Sequence, residues 1–202
     1  MIFVFDIDDT ICETDKNSEE YILNFFDEKG YPYKQVSSVE RFAEAKFNWS
    51  VETAERWYKK YGDEMMLNFE PKPHVVATFR MLRELGHKII IATARSTDWH
   101  TDPRGVTLKW LENNKIEYDK IYLGRVDKEQ ICIGEGADVF VDDDIKICEK
   151  VAKDCPRTKV LLMKSNYNKG KKVSKDIIKI DDVSRIFTLM ALSKIGAKDK
   201  EL

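Results

Sequence analysis

Two short apolar runs in this chain end abruptly in acids. Ile2-Phe3-Val4-Phe5 runs into Asp6, Asp8 and Asp9 in the stretch FDIDDT, and Val139-Phe140-Val141 runs into Asp142, Asp143 and Asp144 in VFVDDD. Carboxylates crowded at the end of a buried strand repel one another, so they need a cation, a shared proton or solvent. In a parallel sheet all carboxyl ends lie on one edge, so two clusters far apart in sequence can meet there. That requirement points to an α/β protein.

The remaining pattern agrees. Lys88 to Ala92, Lys120 to Leu123 and Val160 to Met163 bring the strands to five, all read as buried on both faces. Between His74 and Leu85, Val75, Phe79 and Leu82 fall at i, i+4 and i+7, and Gly86 stops the helix. Val106 to Asn114 and Ile145 to Lys153 read the same way. Strand and helix repeated in turn predict right-handed crossovers and a Rossmann-like parallel sheet covered by helices.

From about Thr14 to Phe69 no strand pattern occurs. Helical patterns at Glu19 to Lys29 and from the Ser50 cap through Tyr61 take its place, punctuated by Gly30-Tyr31-Pro32 and Gly62. The expectation is a core domain of residues 1–13 and 71–202, with a small helical cap, residues 14–70, inserted after the first strand. Such an insertion sits over the strand ends, where open α/β sheets bind ligands. A final helix is expected from Asp182 to Ile195, after a connection rich in lysine (Lys169, Lys171, Lys172 and Lys175).

Composition narrows the class. Of 202 residues, 34 Lys and Arg against 36 Asp and Glu leave a net charge of -2, and 43% are hydrophobic. Such a chain can bury a core, and it has no global field to hold nucleic acid or an anionic membrane. The four-residue apolar start is too short for a signal peptide or a membrane span. Cys12, Cys132, Cys148 and Cys155 lack paired C-x-x-C spacing, which fits reduced thiols and a cytoplasmic location. His74, His87 and His100 do not fall at metal-ligand spacing and read as surface or satisfied structural residues.

The converging acids suit Mg²⁺, a hard ion that takes oxygen ligands; Asp144 is the member best placed merely to cap the following helix. The strand IIIATAR ends in Thr93, Ala94 and Arg95, where a hydroxyl and exposed backbone N–H groups can cradle a phosphate oxygen. Lys128, at the start of a helix just before the VFVDDD strand, is placed to neutralise phosphate.

The order D-x-D-D-T, then an apolar strand ending in Thr, then Lys, then an apolar strand ending in D-D resembles the haloacid dehalogenase superfamily of phosphohydrolases over about residues 1–163. The resemblance implies Asp6 as the nucleophile that attacks phosphorus and Asp8 as the acid and base for the leaving oxygen and water. It implies Thr93, Ala94 and Lys128 as phosphate-binding. It implies Mg²⁺ held by Asp6, the backbone carbonyl of Asp8 and Asp142, with Asp143 holding water on the metal. The stretches NFEPKPHVVATFRMLRELGHKIIIATAR, IEYDKIYLGRVDKEQICIGEGADVFVDDD and SNYNKGK are similar to the 5'(3')-deoxyribonucleotidase family, whose second motif usually reads Thr-Ser. Here Ala94 follows Thr93 and removes a hydroxyl.

The implied substrate is a small phosphomonoester such as a nucleoside monophosphate, with no stable nucleic-acid or membrane partner; oligomeric state is not read. Sugar phosphates and DNA 3'-phosphate ends are alternatives within the superfamily, the latter opposed by a bulky cap. A receiver-type switch phosphorylated on aspartate is the alternative from another class, and the second acidic cluster argues against it. The cap carries 12 of the 22 aromatic residues, among them Tyr21, Phe25, Phe26, Tyr33, Phe42, Phe47, Trp49, Trp57 and Tyr61. Most should build its small core, while one or two could face the sheet and stack on a base. Cys12 is read as a small buried residue bordering the site.

Overall fold

The computed structural model describes residues 1–30, 34–98, 100–192 and 195. Strand β1 (Ile2–Phe5) is followed by helices α1 (Thr14–Lys29), α2 (Ala43–Phe47), α3 (Val51–Asn68) and α4 (Val75–Glu84). Strands and helices then alternate: β2 (Lys88–Thr93), α5 (Pro103–Asn113), β3 (Lys120–Leu123), α6 (Lys128–Glu135), β4 (Val139–Asp142), α7 (Ile145–Asp154), β5 (Lys159–Met163), β6 (Ile177–Ile180) and α8 (Arg185–Ala191).

All six strands are parallel, in the order β3-β2-β1-β4-β5-β6. The alternation of side chains sorts them into two apolar layers. Phe3 and Phe5 pack with Ile89, Ile91, Val139 and Val141 on one face, over Phe79 and Trp110. Val4 packs with Ile90, Ala92, Phe140, Val160 and Leu162 on the other, over Cys148 and Val151. The α/β reading and the acid-bearing strand ends on one edge therefore hold. Central β1 pairs with β2 on one side and β4 on the other, in a register that puts Asp6 level with Ala92 and Asp142.

Three details differ from the sequence expectation. β6 was not expected, because IIKI is short and sits among lysines; it is an edge strand whose middle residues are partly exposed. β3 occupies the opposite edge and is half-exposed rather than buried on both faces. Helix α8 covers Arg185–Ala191, short of the expected span, and residues 193 and 194 lie outside the described residues. Tyr31, Pro32, Tyr33 and Trp99 lie outside them as well.

Helices α1 to α3 form a layer of their own. Ser50 caps α3 by accepting the N–H of Thr53 at 3.2 Å, and Gly30, at φ 65, ends α1 in the left-handed conformation that glycine adopts without strain. Phe25, Phe26, Phe47, Trp49 and Trp57 pack ring against ring, with centroids 5.4 to 5.8 Å apart. Most of the aromatic excess is thus the core of this layer. The Trp110 indole ties it to the sheet by donating to the Phe69 carbonyl at 2.7 Å.

Candidate active site

The site begins where β1 stops. The N–H of Asp6 donates to Val141 O at 3.0 Å, carrying the β1–β4 ladder one residue further. The chain then turns tightly: Ile7 O accepts the N–H groups of Thr10, Ile11 and Cys12 at 3.2, 2.8 and 2.9 Å. Ile7 and Ile11 are fully buried and anchor this turn, while Asp9 takes a left-handed φ of 54°. The Asp9 carboxylate accepts the Asp15 N–H at 2.8 Å, in the first turn of α1. Of the three acids in FDIDD, Asp9 thus serves the backbone, while Asp6 and Asp8 bond to side chains.

Lys128 Nζ stands between the two strand ends, 2.7 Å from Asp6 Oδ1 and 2.6 Å from Asp142 Oδ2. Asp127 sets its position as the N-cap of α6, accepting the Gln130 N–H. Burial opposes the charge on Lys128, but Asp142 and Asp6 raise its pKa well above the ordinary lysine value. Asp143 Oδ1 accepts from the Thr10 hydroxyl at 3.0 Å. Asn168 braces the same loop by donating to Asp143 O at 2.9 Å and Met163 O at 2.8 Å. Asp144 caps α7 as expected, its Oδ1 accepting the N–H of Lys146 and Ile147.

Asp6, Asp142 and Asp143 bring carboxylate oxygens within 4.8 Å of one another. Asp6 Oδ2 and Asp143 Oδ2 are buried and have no hydrogen-bond partner in the structure. A buried polar atom without a partner costs about 1–3 kcal/mol, more when it is charged, so this edge is built for a ligand. One ammonium stands within hydrogen-bond reach of two of the three carboxylates, with the Arg41 guanidinium 3.9 Å from Asp143 Oδ2, and their oxygen donors suit a hard divalent cation. The Asp8 carboxylate is not part of this cluster.

Burial, opposed by Lys128 and reinforced by Asp142, raises Asp6 to about 6; burial raises Asp9 to about 7 and Asp143 well above the usual range. Each pKa lies above the unfolded value of about 3.9, so each group favours the fold fully below that pH. That advantage is lost as pH rises through the folded pKa. We therefore expect thermal stability without a divalent cation to fall between pH 4 and 7. Mg²⁺ should raise Tm by several degrees at pH 7.5 and little at pH 5, because each proton displaced costs about tenfold in affinity per pH unit. Calorimetry with and without EDTA checks this; a Tm indifferent to Mg²⁺ at both pH values counts against the cation site.

Asp8 turns the other way. Its Oδ2 accepts from Arg95 Nε at 2.9 Å, and its Oδ1 accepts from Arg95 Nη2 at 2.7 Å and from the Thr14 hydroxyl at 2.8 Å. Burial alone would raise this carboxyl; the guanidinium outweighs it and holds the pKa at about 2. Arg95 is 3% exposed, lies over the Trp110 ring at 5.4 Å, and leaves Nη1 buried without a partner. Thr93 is fully buried, and its hydroxyl accepts the Arg95 N–H at 3.4 Å.

Between this edge and the α1–α3 layer lies a cavity of about 290 Å³. Asp6, Asp8, Ala94, Arg95 and Lys128 form its sheet side, and Ile22, Trp57, Met65, Met66 and Phe69 its apolar side. Of the expected site residues, Asp6, Asp8, Ala94 and Lys128 thus reach the cavity, while Thr93, Asp142 and Asp143 stand behind the wall. Phe42, Trp57 and Tyr58 are the helical-layer aromatics that face it, together with Phe69. Arg41 crosses from the same layer, donating from Nη1 to Asp144 Oδ2 at 2.7 Å and lying over the Tyr167 ring at 5.4 Å.

His100 departs from its sequence reading. Its side chain is 11% exposed and lines the cavity, with Nδ1 3.7 Å from Asp63 Oδ1 and without a hydrogen bond. The polar loop after β2 folds back onto α3, where Asp63 accepts the Thr101 N–H at 3.0 Å, and carries His100 inward. Burial lowers its pKa and favours the neutral ring. Cys12 is fully buried, its thiol pushed up to about 12 by burial, which fits its reading as a packing residue.

A buried carboxylate beside an ammonium, an acid cluster and a cavity at the carboxyl edge of a parallel sheet make a site suited to a hydrolase. The chain belongs to the haloacid dehalogenase-like hydrolases, whose family model matches residues 3–103. No curated protein sequence matches the chain significantly.

Among solved structures, it is similar to a haloacid dehalogenase-like hydrolase family protein from Streptococcus pneumoniae. The two are 13% identical, with TM-score 0.65 over 94% of this chain and 97% of that one. It is also similar to a protein described as a HAD hydrolase from Bacillus subtilis, solved with magnesium (11%, TM-score 0.65, 94% and 98%). A third is CbbY from Rhodobacter sphaeroides, in complex with phosphate (12%, TM-score 0.61, 90% and 93%). At these identities the likeness concerns the fold. Among the described residues no helix is long and apolar enough to cross a membrane.

Proposed function

We propose that this hydrolase is a Mg²⁺-dependent phosphomonoesterase that works through an aspartyl phosphate on Asp6, with nucleoside monophosphates as its substrate class. The observation that carries the reading is Asp6 itself. One oxygen is held by Lys128 and the other is buried and free of partners beside the cavity. Residues 14–70 act as the cap that encloses the substrate.

Asp6 Oδ2 attacks phosphorus in line; the new P–O bond forms as the bond to the leaving oxygen breaks. Lys128 neutralises phosphoryl charge, and the backbone turn at Thr93 and Ala94 cradles a second oxygen. Water then cleaves the acyl phosphate, giving its proton to Asp8, which delivers it to the leaving oxygen of the next turnover. A carboxylate offers about four lone-pair directions, so Asp8 can accept that proton while Arg95 and Thr14 hold it. Donation is opposed by the pKa near 2, and the charge of an incoming phosphate dianion beside Arg95 relaxes that hold. Mg²⁺ would be held by Asp6, Asp142 and the Asp8 carbonyl, with Asp143 beside it, and would supply charge neutralisation to the phosphoryl group.

The nucleotide preference rests on the 5'(3')-deoxyribonucleotidase-like motifs and on the apolar cavity wall opposite the acids, which suits a base better than a sugar. Phosphate release is to be measured with Mg²⁺ over 5'- and 3'-nucleotides, sugar phosphates and 3'-phosphorylated DNA. The expected result is a preference of at least tenfold for nucleoside monophosphates. A preference for sugar phosphates or DNA ends keeps the chemistry and replaces the substrate. No release from any of them, with stable phosphate on Asp6, would overturn the enzyme reading.

A further inference from the structure

We infer that Arg95 is a substrate-binding residue, its third guanidinium nitrogen taking a phosphoryl oxygen while the other two hold Asp8. The inference rests on the phosphatase reading of the same cavity and adds a contact that the sequence motifs do not assign.

Arg95 is among the least exposed charged side chains of the described residues, and it forms part of the cavity wall. Nε and Nη2 form a fork on Asp8. The Trp110 ring covers one face of the guanidinium, and the Trp110 indole is itself tied to Phe69 O. The group is therefore fixed in its plane on three counts. Nη1 alone, with two N–H donors, is buried without an acceptor. An unfilled buried donor costs free energy, so this nitrogen gains from an incoming acceptor. Arginine also suits the purpose where lysine does not, since a planar fork engages a carboxylate and still presents another donor.

Sequence order places the acceptor. Arg95 follows the Thr93-Ala94 turn, and its partner Asp8 lies two residues from the proposed nucleophile Asp6. A phosphoryl group on Asp6 enters the space shared by Ala94, Arg95, Lys128 and Asp8, all of which line the cavity. Lys128 engages Asp6 from the Asp142 side. Arg95 supplies the second cation, from the Asp8 side. A dianion held by two cations, one beside Asp6 and one beside Asp8, is the arrangement that phosphoryl transfer uses to stabilise charge.

The test uses the full chain with Mg²⁺, inorganic phosphate as the binding probe and p-nitrophenyl phosphate as substrate. Arg95→Lys should weaken phosphate binding at least tenfold by calorimetry and lower kcat/KM about a hundredfold, with Tm little changed. Arg95→Ala strips Asp8 of its partner and could unfold, so the pair is also removed together. Asp8→Asn keeps the guanidinium and should bind phosphate at least tenfold more tightly than the double variant Asp8→Asn with Arg95→Ala. Methylguanidinium should restore part of that binding.

Phosphate affinities unchanged in Arg95→Lys and in the double variant would overturn the inference while leaving turnover by wild type, and the phosphatase reading, in place. Arg95-dependent phosphate binding in a wild-type protein that hydrolyses nothing would uphold the contact and overturn the phosphatase reading.

Discussion

Replacing Asp6 by Asn should cut phosphate release by at least about 10⁴-fold, with p-nitrophenyl phosphate and a nucleoside monophosphate alike. The amide keeps the shape and can still accept from Lys128, but it cannot form the acyl phosphate, so the loss falls on kcat. The fold should survive. In the wild type the carboxyl is raised to about 6 by burial, so at pH 7.5 its ionisation works against folding. The neutral variant should therefore show a Tm at pH 7.5 that is equal or higher without Mg²⁺, and lower than wild type once Mg²⁺ is saturating. Retained turnover would move the nucleophile elsewhere. A collapsed Tm would make Asp6 a structural residue.

Lys128→Met should do more damage to the protein and less to the reaction. The ammonium lies within 2.7 Å of two buried carboxylates, and a third, Asp143, has an oxygen with no hydrogen-bond partner. Removing one member of such a group leaves uncompensated buried charge and destabilises by about 3–5 kcal/mol. For a chain of 202 residues that corresponds to a Tm lower by about 10 °C at pH 7.5. The deficit should shrink at pH 5, below the Asp6 pKa of about 6, where that carboxyl takes up a proton and the repulsion falls. Mg²⁺ should recover part of it at pH 7.5 by supplying positive charge to the same oxygens. Turnover should fall more than a hundredfold. A Tm deficit that does not depend on pH would mean that the lysine acts by packing alone.

The two variants separate functions that lie in one hydrogen-bonded group. Asp6 is required for a covalent step, whereas Lys128 is required both to hold the acids together and to meet the phosphate. Their effects should not be additive, since each removes part of the other's environment. The double variant should lose little more turnover than Asp6→Asn alone.

Much of this arrangement could be read from local pattern. Five of the six strands, the Ser50 cap, the Gly86 stop and the helix opening at Lys128 all follow from period, capping chemistry and punctuation, which act within a few residues. The convergence of FDIDD and VFVDDD followed as well, because parallel strands end on one edge. β6 was missed because an edge strand needs only one buried face, and four residues amid lysines leave too weak a pattern. The polar loop after β2 carries no period at all. Nothing in DWHTDPRG signals that His100 turns inward onto α3.

The division between Asp6 and Asp8 shows where local information ends. Their shared motif announces acids at a strand end, which need a cation, a shared proton or solvent. Which acid meets a cation was decided by partners from remote parts of the chain. Lys128 lies 122 residues from Asp6 and Arg95 lies 87 from Asp8, and these two cations draw the neighbouring carboxylates apart. The same holds for Thr10 on Asp143, Asn168 behind it and Arg41 on Asp144. Strand and helix depend on backbone dihedrals and on the sidedness of burial, which neighbouring residues specify. The charge state of a buried group depends on what stands within a few ångströms of it, and only the folded chain brings those groups together.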